Sequence, residues 1–404
     1  MKEGWRMVKL GDVCEIFGRI GFRGYTTKDI VSSSDEGAIS LSPANIQDGK
    51  MDYSKCTYIS WFKYEESPEI MIFNGDILLV KTGSSYGKSA LVEKLPHKAT
   101  INPQSVVLKN FKINNKFLAY QLRTQRIKDE FDRFVSGTAI PTFSQAKLSE
   151  VLICYPPLEE QHRIVSILDA TFEKIDKLKA NAEENLKNAK ELFQQVLAQE
   201  LKPKEGWVEK KLGEVAIVRI GPFGSLLHKK DYINGGTPLV NPIHIKDGVI
   251  YADPSYSVSD EKKKELCNYL LNNNDIIFAR RGEIGRCALV TEKEQGYICG
   301  TGSLFVRFTR ELNSKFMLLL FQSEKCRQYL LKKATGATML NINSDIVMNM
   351  PICIPEVKEQ NLIVQTLDAL SEKCRRLETI AQQTIRECDA LKQSILRQAF
   401  SGEL

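Results

Sequence analysis

The sequence predicts an α+β protein in which two globular modules are separated by two long antiparallel coiled-coil helices, with a pseudo-twofold internal repeat. Three observations support this fold class. The two halves of the 404-residue chain resemble each other, and two segments carry an uninterrupted heptad pattern. The remaining sequence mixes short apolar runs, typical of buried strands, with short amphipathic segments. The predicted modules are residues 1–155 and 204–354, and the predicted helices are residues 156–203 and 355–404.

The internal repeat is visible from the first residues. Lys2-Glu3-Gly4-Trp5 recurs as Lys204-Glu205-Gly206-Trp207. Between 156–201 and 355–400, 16 of 46 positions are identical at a constant offset of 199, whereas the offset drifts between 198 and 202 in the modules. The modules therefore tolerate insertions and the segments that follow them do not. Two units of this length also exclude a solenoid of short repeats.

Within the modules, dense turn signals separate short elements. Residues 76–81 and 275–280 are predicted to be buried strands, as are residues 105–108 and 303–306. Two segments with helical patterns follow these strands, at 116–134 and 315–332, and the charged run 260–265 is predicted to be a solvated helical face. These elements indicate mixed modules without specifying their topology.

The two segments that tolerate no insertion are predicted to be helices of a coiled coil. They begin just after Pro157 and Pro355, and neither contains a further glycine or proline for more than four heptads. Apolar or small residues recur at alternating spacings of four and three, as in the seam between paired helices. The predicted seam consists of Leu168, Ile175, Leu178, Ala182, Ala189 and Leu192 in the first helix, and of Leu367, Cys374, Leu377, Ala381, Cys388 and Leu391 in the second.

The alternative is that each long helix packs only on its own module. A helix of this length extends roughly 60 Å, which is more than a module of about 155 residues can cover. We therefore expect the two helices to pair with each other. The short linker Lys202-Pro203-Lys204 leads directly into the second module, and antiparallel pairing would place one module at each end.

The composition is that of an ordinary globular protein, with 43% hydrophobic and 26% charged residues. The longest apolar run, residues 316–321, is far shorter than the roughly 20 residues of a membrane helix. No apolar stretch of the signal-peptide type follows Met1. We expect a cytoplasmic protein with no membrane partner.

The cysteines do not predict a metal site. Ten cysteines are scattered without a Cys-x-x-Cys pair, and the chain has only four histidines. We expect reduced, mostly buried thiols and no bound metal.

The charge distribution favours a polyanionic partner for the modules. The net charge is +6, but segments 159–203 and 356–404 together hold 14 basic and 17 acidic residues, which leaves a net charge of +9 on the rest of the chain. A positive excess confined to the globular parts fits nucleic-acid binding.

No recognisable catalytic motif is present. The segment Gly83-Ser-Ser-Tyr-Gly-Lys-Ser89 has three residues between its glycines, where a phosphate-binding loop has four. Its counterpart beginning at Gly282 lacks both the lysine and the serine. We interpret each as a tight exposed turn that presents one cation. Cys154-Tyr155-Pro156-Pro157 has the wrong order for the catalytic motif of amino-methyltransferases. The sequence thus predicts a binding protein without its own active site.

The order of duplicated motifs resembles the specificity subunit of type I restriction-modification systems over the full length. Each module opens with Trp-x-x-x-x-Leu-Gly-[Asp/Glu]-Val, at Trp5 to Val13 and Trp207 to Val215. Each closes with a proline-led Glu-Gln-x-x-Ile-Val segment, at Pro156 to Val165 and Pro355 to Val364. The segments Gly75-Asp-Ile-Leu78 and Asn102-Pro-Gln-Ser-Val106 also look like family motifs.

The resemblance implies a non-catalytic subunit with two target-recognition domains, each binding one half of a split, asymmetric double-stranded DNA site. It implies that the helices act as a spacer and dock two methyltransferase subunits, which carry S-adenosylmethionine and methylate adenine. Restriction subunits, where present, would cleave DNA with ATP and Mg²⁺. The resemblance implies no cofactor on this chain.

The candidate DNA-binding residues lie on predicted turns of the two modules. Cations there would contact phosphates, and polar side chains would contact base edges. The cations are Arg19, Arg23, Lys81, Lys88, Arg219, Lys229, Lys230, Arg280, Arg281 and Arg286, and the polar residues are Tyr86, Gln104, Thr138, Thr338 and Asn341.

Two other functions remain open on the sequence. One is a self-contained DNA methyltransferase or nuclease, which the absence of a glycine-rich cofactor loop disfavours. The other is a coiled-coil adaptor that does not act on DNA, which the positive charge of the modules disfavours.

Overall fold

The protein is described by a computed structural model over residues 4–19, 21–135, 140–336 and 340–404. The chain forms two compact units. The first comprises Met1–Glu183 together with Gln382–Leu404, and the second comprises Glu184–Ala381. Each unit therefore contains one module and a part of each long helix.

The first repeat contains helices α1 to α6 and strands β1 to β13. The helices are α1 (Leu10–Val13), α2 (Trp61–Glu65), α3 (Asn115–Gln121), α4 (Gln125–Phe134), α5 (Gln145–Ser149) and α6 (Leu158–Glu200). The strands are β1 (Arg6–Lys9), β2 (Glu15–Gly18), β3 (Ile30–Val31), β4 (Gly37–Leu41), β5 (Ile46–Gln47), β6 (Lys50–Met51), β7 (Thr57–Ser60), β8 (Met71–Ile72), β9 (Ile77–Val80), β10 (Ser89–Leu91), β11 (Ala99–Ile101), β12 (Ser105–Lys109) and β13 (Leu152–Tyr155).

The second repeat contains helices α7 to α11 and strands β14 to β24. The helices are α7 (Asp260–Glu265), α8 (Ser314–Gln322), α9 (Glu324–Lys333), α10 (Ser344–Met348) and α11 (Val357–Ser401). The strands are β14 (Val208–Lys211), β15 (Ala216–Ile220), β16 (Thr237–Val240), β17 (Ile245–Lys246), β18 (Val249–Ile250), β19 (Ser257–Val258), β20 (Ile276–Ala279), β21 (Cys287–Leu289), β22 (Ile298–Cys299), β23 (Ser303–Phe308) and β24 (Pro351–Ile354).

Each module is built on the same pair of sheets. A four-stranded antiparallel sheet has the order β10-β9-β12-β2 in the first module and β15-β23-β20-β21 in the second. A second sheet, β3-β7-β4-β11-β8 or β19-β16-β22, contains one parallel pair in each module. A short ladder joins the first strand of each module to its last, β1 to β13 and β14 to β24. The predicted α+β class is confirmed.

The central strands β9 and β20 are buried on both faces. Ile77 and Leu79 pack into one apolar cluster and Leu78 into another. In β20, Ile276 and Ile277 are likewise divided between two clusters. Successive side chains of a strand point to opposite faces, so a strand that is apolar at every position must be covered on both. The prediction of buried strands at these two places is confirmed.

The segments predicted as single helices at 116–134 and 315–332 are each two helices. Thr124 separates α3 from α4, and Ser323 separates α8 from α9. The backbone is extended at both residues, and each hydroxyl accepts a hydrogen bond from the first turn of the next helix. Such N-caps start a new helix, while the apolar periodicity continues across the break.

In the first unit, α6 and α11 pair antiparallel. Arg163 donates a hydrogen bond to the carbonyl oxygen of Leu404 at 2.8 Å. Lys179 contacts Asp389 at 2.8 Å, so the partner number falls as the α6 number rises. In the second unit, Leu197 of α6 shares a core cluster with Leu367 of α11. Mutual pairing of the helices is therefore confirmed, and packing of each helix only on its own module is excluded.

Eight of the predicted seam residues are buried. They are Leu168, Ile175, Ala182, Ala189, Leu367, Cys374, Ala381 and Cys388. The other four predicted seam residues are wrong: Leu178, Leu192, Leu377 and Leu391 are 44–52% exposed.

The seam passes through the residue after each of these leucines. Lys392 is 6% exposed, and Lys179, Phe193 and Glu378 are half-buried. At Lys179 and Lys392 the charge is tolerated because the ammonium group meets a carboxylate on the other helix. The seam repeats every seven residues as predicted, but at these four places it runs one residue further along the helix.

Close packing of two helices explains why the Leu-Gly pair is repeated in both modules. A Cβ atom added to Gly11 would lie 2.8 Å from Cβ of Ser149, so α1 packs on α5 without room for a side chain. Gly213 occupies the same place in the second module, where an added Cβ would lie 3.2 Å from Cβ of Met348. The Leu-Gly pair thus serves packing inside each module.

Candidate nucleic-acid interface

In the first module, three loops meet at the end of β9. The backbone N–H of Lys81 donates to the carbonyl oxygen of Gln104 at 2.8 Å, and Phe143 N–H donates to the carbonyl oxygen of Lys81 at 3.2 Å. The hydroxyl oxygens of Thr82 and Thr142 are 2.8 Å apart. We call the residues 81–88, 102–104 and 140–143 the first turn junction.

The second module has the same arrangement at the end of β20. Arg280 N–H donates to the carbonyl oxygen of Gly302 at 3.0 Å, and Ile342 N–H donates to the carbonyl oxygen of Arg280 at 3.0 Å. The Arg280 Nε atom also donates to Oδ1 of Asn341 at 3.2 Å. Residues 280–286, 300–302 and 340–342 form the second turn junction. The two copies of the repeat thus preserve one loop geometry.

The glycine-bounded turns are shaped for tight reversal rather than for cradling a phosphate. Gly83 and Gly87 have φ angles of +97° and +81°, the left-handed region that favours glycine. The N–H of Gly87 donates to the carbonyl oxygen of Val80 at 2.9 Å, and that of Lys88 donates to Ser85 at 3.1 Å. Because these N–H groups have partners inside the chain, they do not point at a bound anion as those of a phosphate-binding loop do.

Each junction presents cations of two kinds. Lys88 and Arg281 are exposed, as a phosphate contact requires. Lys81 and Arg280 are half-buried, and burial lowers the pKa of each below its ordinary value. Each junction therefore has one exposed cation, which solvent-exposed anions can reach, and one half-buried cation.

The remaining predicted residues lie in several environments. Tyr86 donates to Asp132 at 2.6 Å, and Gln104 accepts from Asn102 at 3.2 Å. Arg219 donates to the carbonyl oxygen of Asn268 at 2.8 Å. Arg23 pairs with Glu69 at 3.6 Å, Arg286 pairs with Glu283, and Lys229 and Lys230 are exposed on a short helical turn. Thr138 and Thr338 lie outside the described residues.

The prediction that Arg19 lies on an exposed turn is wrong. Its side chain is buried, and its guanidinium donates to the carbonyl oxygen of Ile101 at 3.1 Å and to the hydroxyl of Thr100 at 3.1 Å. Arg19 therefore links β2 to β11 inside the module and does not stand on an exposed turn. The sequence did not reveal this, because the same cation fits a phosphate or a buried carbonyl.

Two exposed apolar residues were missed by the sequence reasoning. Ile140 is 62% exposed in the first turn junction, and Leu340 is 41% exposed in the second. Aliphatic side chains contact thymine methyl groups in the major groove. The signal available in the sequence was an aliphatic residue three or four positions after a repeated glycine, Gly137 in the first repeat and Gly336 in the second.

The cysteines behave as packing residues. All ten are free, and seven are buried. Burial raises the pKa of the Cys14 thiol to about 12, so that thiol stays protonated at neutral pH. Over the described ranges, no group of three or more His, Cys, Asp or Glu side chains is arranged to hold a metal ion. No helix in the described part of the chain is long and apolar enough to cross a membrane.

Comparison with known proteins identifies relatives over the whole chain. The family model described as the type I restriction modification DNA specificity domain matches residues 2–188 and again residues 204–387. The StySPI specificity subunit of Salmonella potsdam and the EcoKI specificity subunit of Escherichia coli are each 24% identical to this chain, covering 100% of it and 90% of the relative.

Solved structures share the fold. A chain from a structure of a type I restriction-modification system, described for its complex assembly and conformational transition, aligns with a TM-score of 0.74 at 21% identity, over 100% of this chain and 99% of that one. The HsdS subunit from Thermoanaerobacter tengcongensis aligns with a TM-score of 0.57 at 21% identity, over 100% and 98%.

Proposed function

The chain belongs to the type I restriction modification DNA specificity family, and we propose that it is the DNA sequence-recognition subunit of a type I restriction-modification complex. The main support for this proposal is that the family model matches the chain twice, once in each repeat. Each module would bind one half of a bipartite site through its turn junction. Because the two modules have diverged in sequence, the two half-sites need not be related by symmetry.

The helix pair would hold the two modules at a set distance and dock two methyltransferase subunits. In the first unit, the antiparallel register places the exposed Leu178 beside the exposed Leu391. In the second unit, Leu192 and Leu377 are exposed in the same heptad position. Leucines left on one side of a paired helix are suited to an apolar protein contact.

This docking can be tested with single substitutions. Leu178→Asp or Leu391→Asp should weaken association with the methyltransferase subunit by about tenfold or more, because a charge would be buried in an apolar contact. Association is measured by titrating the labelled chain with its methyltransferase subunit. The control is Ala170→Asp, an exposed position of α6 outside this row of leucines, which should bind like the parent. Equal affinities for all variants would assign docking to another surface.

We propose further that this chain holds no cofactor and catalyses no step, and that S-adenosylmethionine, ATP and Mg²⁺ are bound by the partner subunits. The test is to co-express the chain with its methyltransferase subunit and to map methylated adenines genome-wide. One asymmetric bipartite motif with a constant gap is expected. Methyl transfer to DNA by the purified chain alone would overturn the proposal in favour of a self-contained enzyme. Failure of the complex to bind duplex DNA would favour an adaptor.

The second turn junction gives a test of the DNA contacts. Arg281→Ala should weaken binding about equally for all sequences and reduce the slope of log affinity against log salt by roughly 1, as loss of one phosphate contact does. Arg280→Ala should act in the same direction. Affinity of the assembled complex for duplex DNA is measured at several salt concentrations.

The matched control is Arg310→Ala, an exposed arginine beyond the opposite end of β23. It should leave the affinity and the salt slope unchanged. If Arg281→Ala and Arg280→Ala also leave both unchanged, neither arginine contacts DNA.

A further inference from the structure

The first unit contains a network of charged side chains that joins its module to both long helices. The Lys179 Nζ atom on α6 lies 2.8 Å from Oδ1 of Asp389 on α11 and 3.0 Å from Oδ2 of Asp48 in the module. Asp176 on α6 accepts from Lys392 on α11 and from Lys50 in the module. Each of the two α6 residues therefore has one partner on the other helix and one in the module.

The module residues of this network belong to one hairpin. Asp48 and Gly49 form the tip between β5 and β6, and Lys50 begins β6. The Arg123 guanidinium donates to the carbonyl oxygen of Asp48 at 2.8 Å. A Cβ atom on Gly49 would lie 2.2 Å from Cζ of Arg123, so the arginine packs directly on the hairpin backbone. The tip is thereby held in one place.

The electrostatics of the network agree with its geometry. A hydrogen bond to Asp389 raises the pKa of Lys179, with the bond to Asp48 adding to it. The bond from Lys179 lowers the pKa of Asp48. Burial raises the pKa of Asp176, but the bonds from Lys392 and Lys50 outweigh it and the net pKa lies below the ordinary value. The shifts in the pKa of Lys179, Asp48 and Asp176 all favour the charged form.

The second unit has the same hairpin without the network. Asp247 and Gly248 repeat the tip conformation, with φ angles of +51° and +78° against +49° and +75°. Lys50 is replaced by Val249, and the position of Lys179 is taken by Glu378. Among the residues that the structure describes, no ion pair joins this hairpin to α11. The charged link is therefore a property of the first repeat alone.

We propose that Lys179 and Lys392 are positioning residues that set one register of the helix pair and one orientation of the first module against it. This rests on the proposed function, in which the gap between half-sites follows from that geometry. Charged residues within a coiled-coil seam specify register because other registers leave them unpaired. A slip of one heptad would place Lys179 opposite Leu396 or Gln382, neither of which has a carboxylate.

A double substitution separates positioning from stability. Lys179→Leu with Lys392→Leu makes the seam apolar at these two positions, and it leaves no isolated buried charge. Asp48 and Asp389 are exposed to water, and Asp176 keeps Lys50 as its partner. Replacing buried ion pairs by apolar residues is often neutral or stabilising. If Lys179 and Lys392 serve stability alone, the double substitution will leave the choice of methylated DNA sites unchanged.

The readout is the distribution of gap lengths among methylated sites, in cells that express the full chain with its methyltransferase subunit. For the double variant we expect an unchanged or higher melting temperature. Methylation of sites whose gap differs from the preferred one should rise roughly fivefold relative to the parent, equivalent to the loss of about 1 kcal/mol of bias. The matched control is Glu378→Leu, the equivalent seam position of the second repeat, which should leave the gap distribution unchanged.

A second variant leaves the seam intact in case the first fails to fold. Asp48→Asn with Lys50→Gln removes both charges from the hairpin, and asparagine tolerates the left-handed conformation at position 48. It should broaden the gap distribution in the same direction, whereas Asp247→Asn in the second module should not. Gap distributions equal to the parent in both variants would overturn the proposal. Absence of any bipartite motif from the parent would instead refute the proposed function.

Discussion

Insertion of seven residues in each long helix should lengthen the preferred gap between the half-sites by roughly 3 base pairs. Seven helical residues add about 10 Å to the rod, and one base pair of duplex occupies about 3.4 Å. The insertions belong between Ala182 and Glu183 in α6 and between Ile385 and Arg386 in α11. The antiparallel register of the first unit places these two points opposite each other. The changed motif is read by mapping methylated adenines.

Matched insertion is essential to this prediction. Seven residues restore the phase of the seam to within about 20°, so buried and exposed positions beyond the insertion keep their roles. Insertion in α6 alone would shift every later seam residue by one heptad against α11, and we expect loss of site-specific methylation. A parent-length gap in the doubly inserted variant would show that the helix pair does not set the spacing.

Phe117→Ala should lower the free energy of unfolding of the first unit by about 3–5 kcal/mol, as large-to-small changes of buried aromatic residues do. Phe117 is fully buried at the start of α3. Its ring centroid lies 6.2 Å from that of Trp5, which opens the module, and 5.0 Å from that of Phe400 near the end of α11. Phe117 also shares a core cluster with Leu168 of α6, so its removal opens a cavity between the module and both long helices.

The measurement is chemical or thermal unfolding of the full chain, with the transition of each unit resolved. Phe316 occupies the corresponding place in the second unit, 6.0 Å from Trp207, so Phe316→Ala should destabilise that unit instead. Phe62→Ala is the control, because Phe62 is 71% exposed and its removal should change stability by about 0.5 kcal/mol or less. An unchanged transition in Phe117→Ala would show that the contact with the helices contributes little.

The buried strands and the long helices could be predicted because their signals are local. An apolar run such as 77–80 can be satisfied only by burial on both faces, and the structure buries it. Four heptads without a helix breaker can form little other than a long helix, and α6 and α11 begin and end within three residues of the predicted bounds. The duplication was equally visible, since identity at a constant offset requires no knowledge of the fold.

The roles of individual cations could not be predicted from the residues next to them in the sequence. Arg19 and Arg281 look alike in the sequence, yet Arg19 donates to a buried carbonyl and Arg281 is exposed. The difference arises from residues more than 80 positions away, on β11. An arginine can reach a phosphate only if the folded sheets leave its side chain exposed and do not place a buried carbonyl beside it.

By itself the sequence determined the family, the α+β class, the two modules and the paired helices, because repetition and hydrophobic period are properties of neighbouring residues. Only the tertiary structure decided which side of each helix meets the other. Leu178 and Leu391 were the better seam residues by hydrophobicity, but the seam runs through Lys179 and Lys392. Carboxylates on the opposite helix and on a distant hairpin satisfy those charges, and a pairing of that kind exists only once the chain has folded.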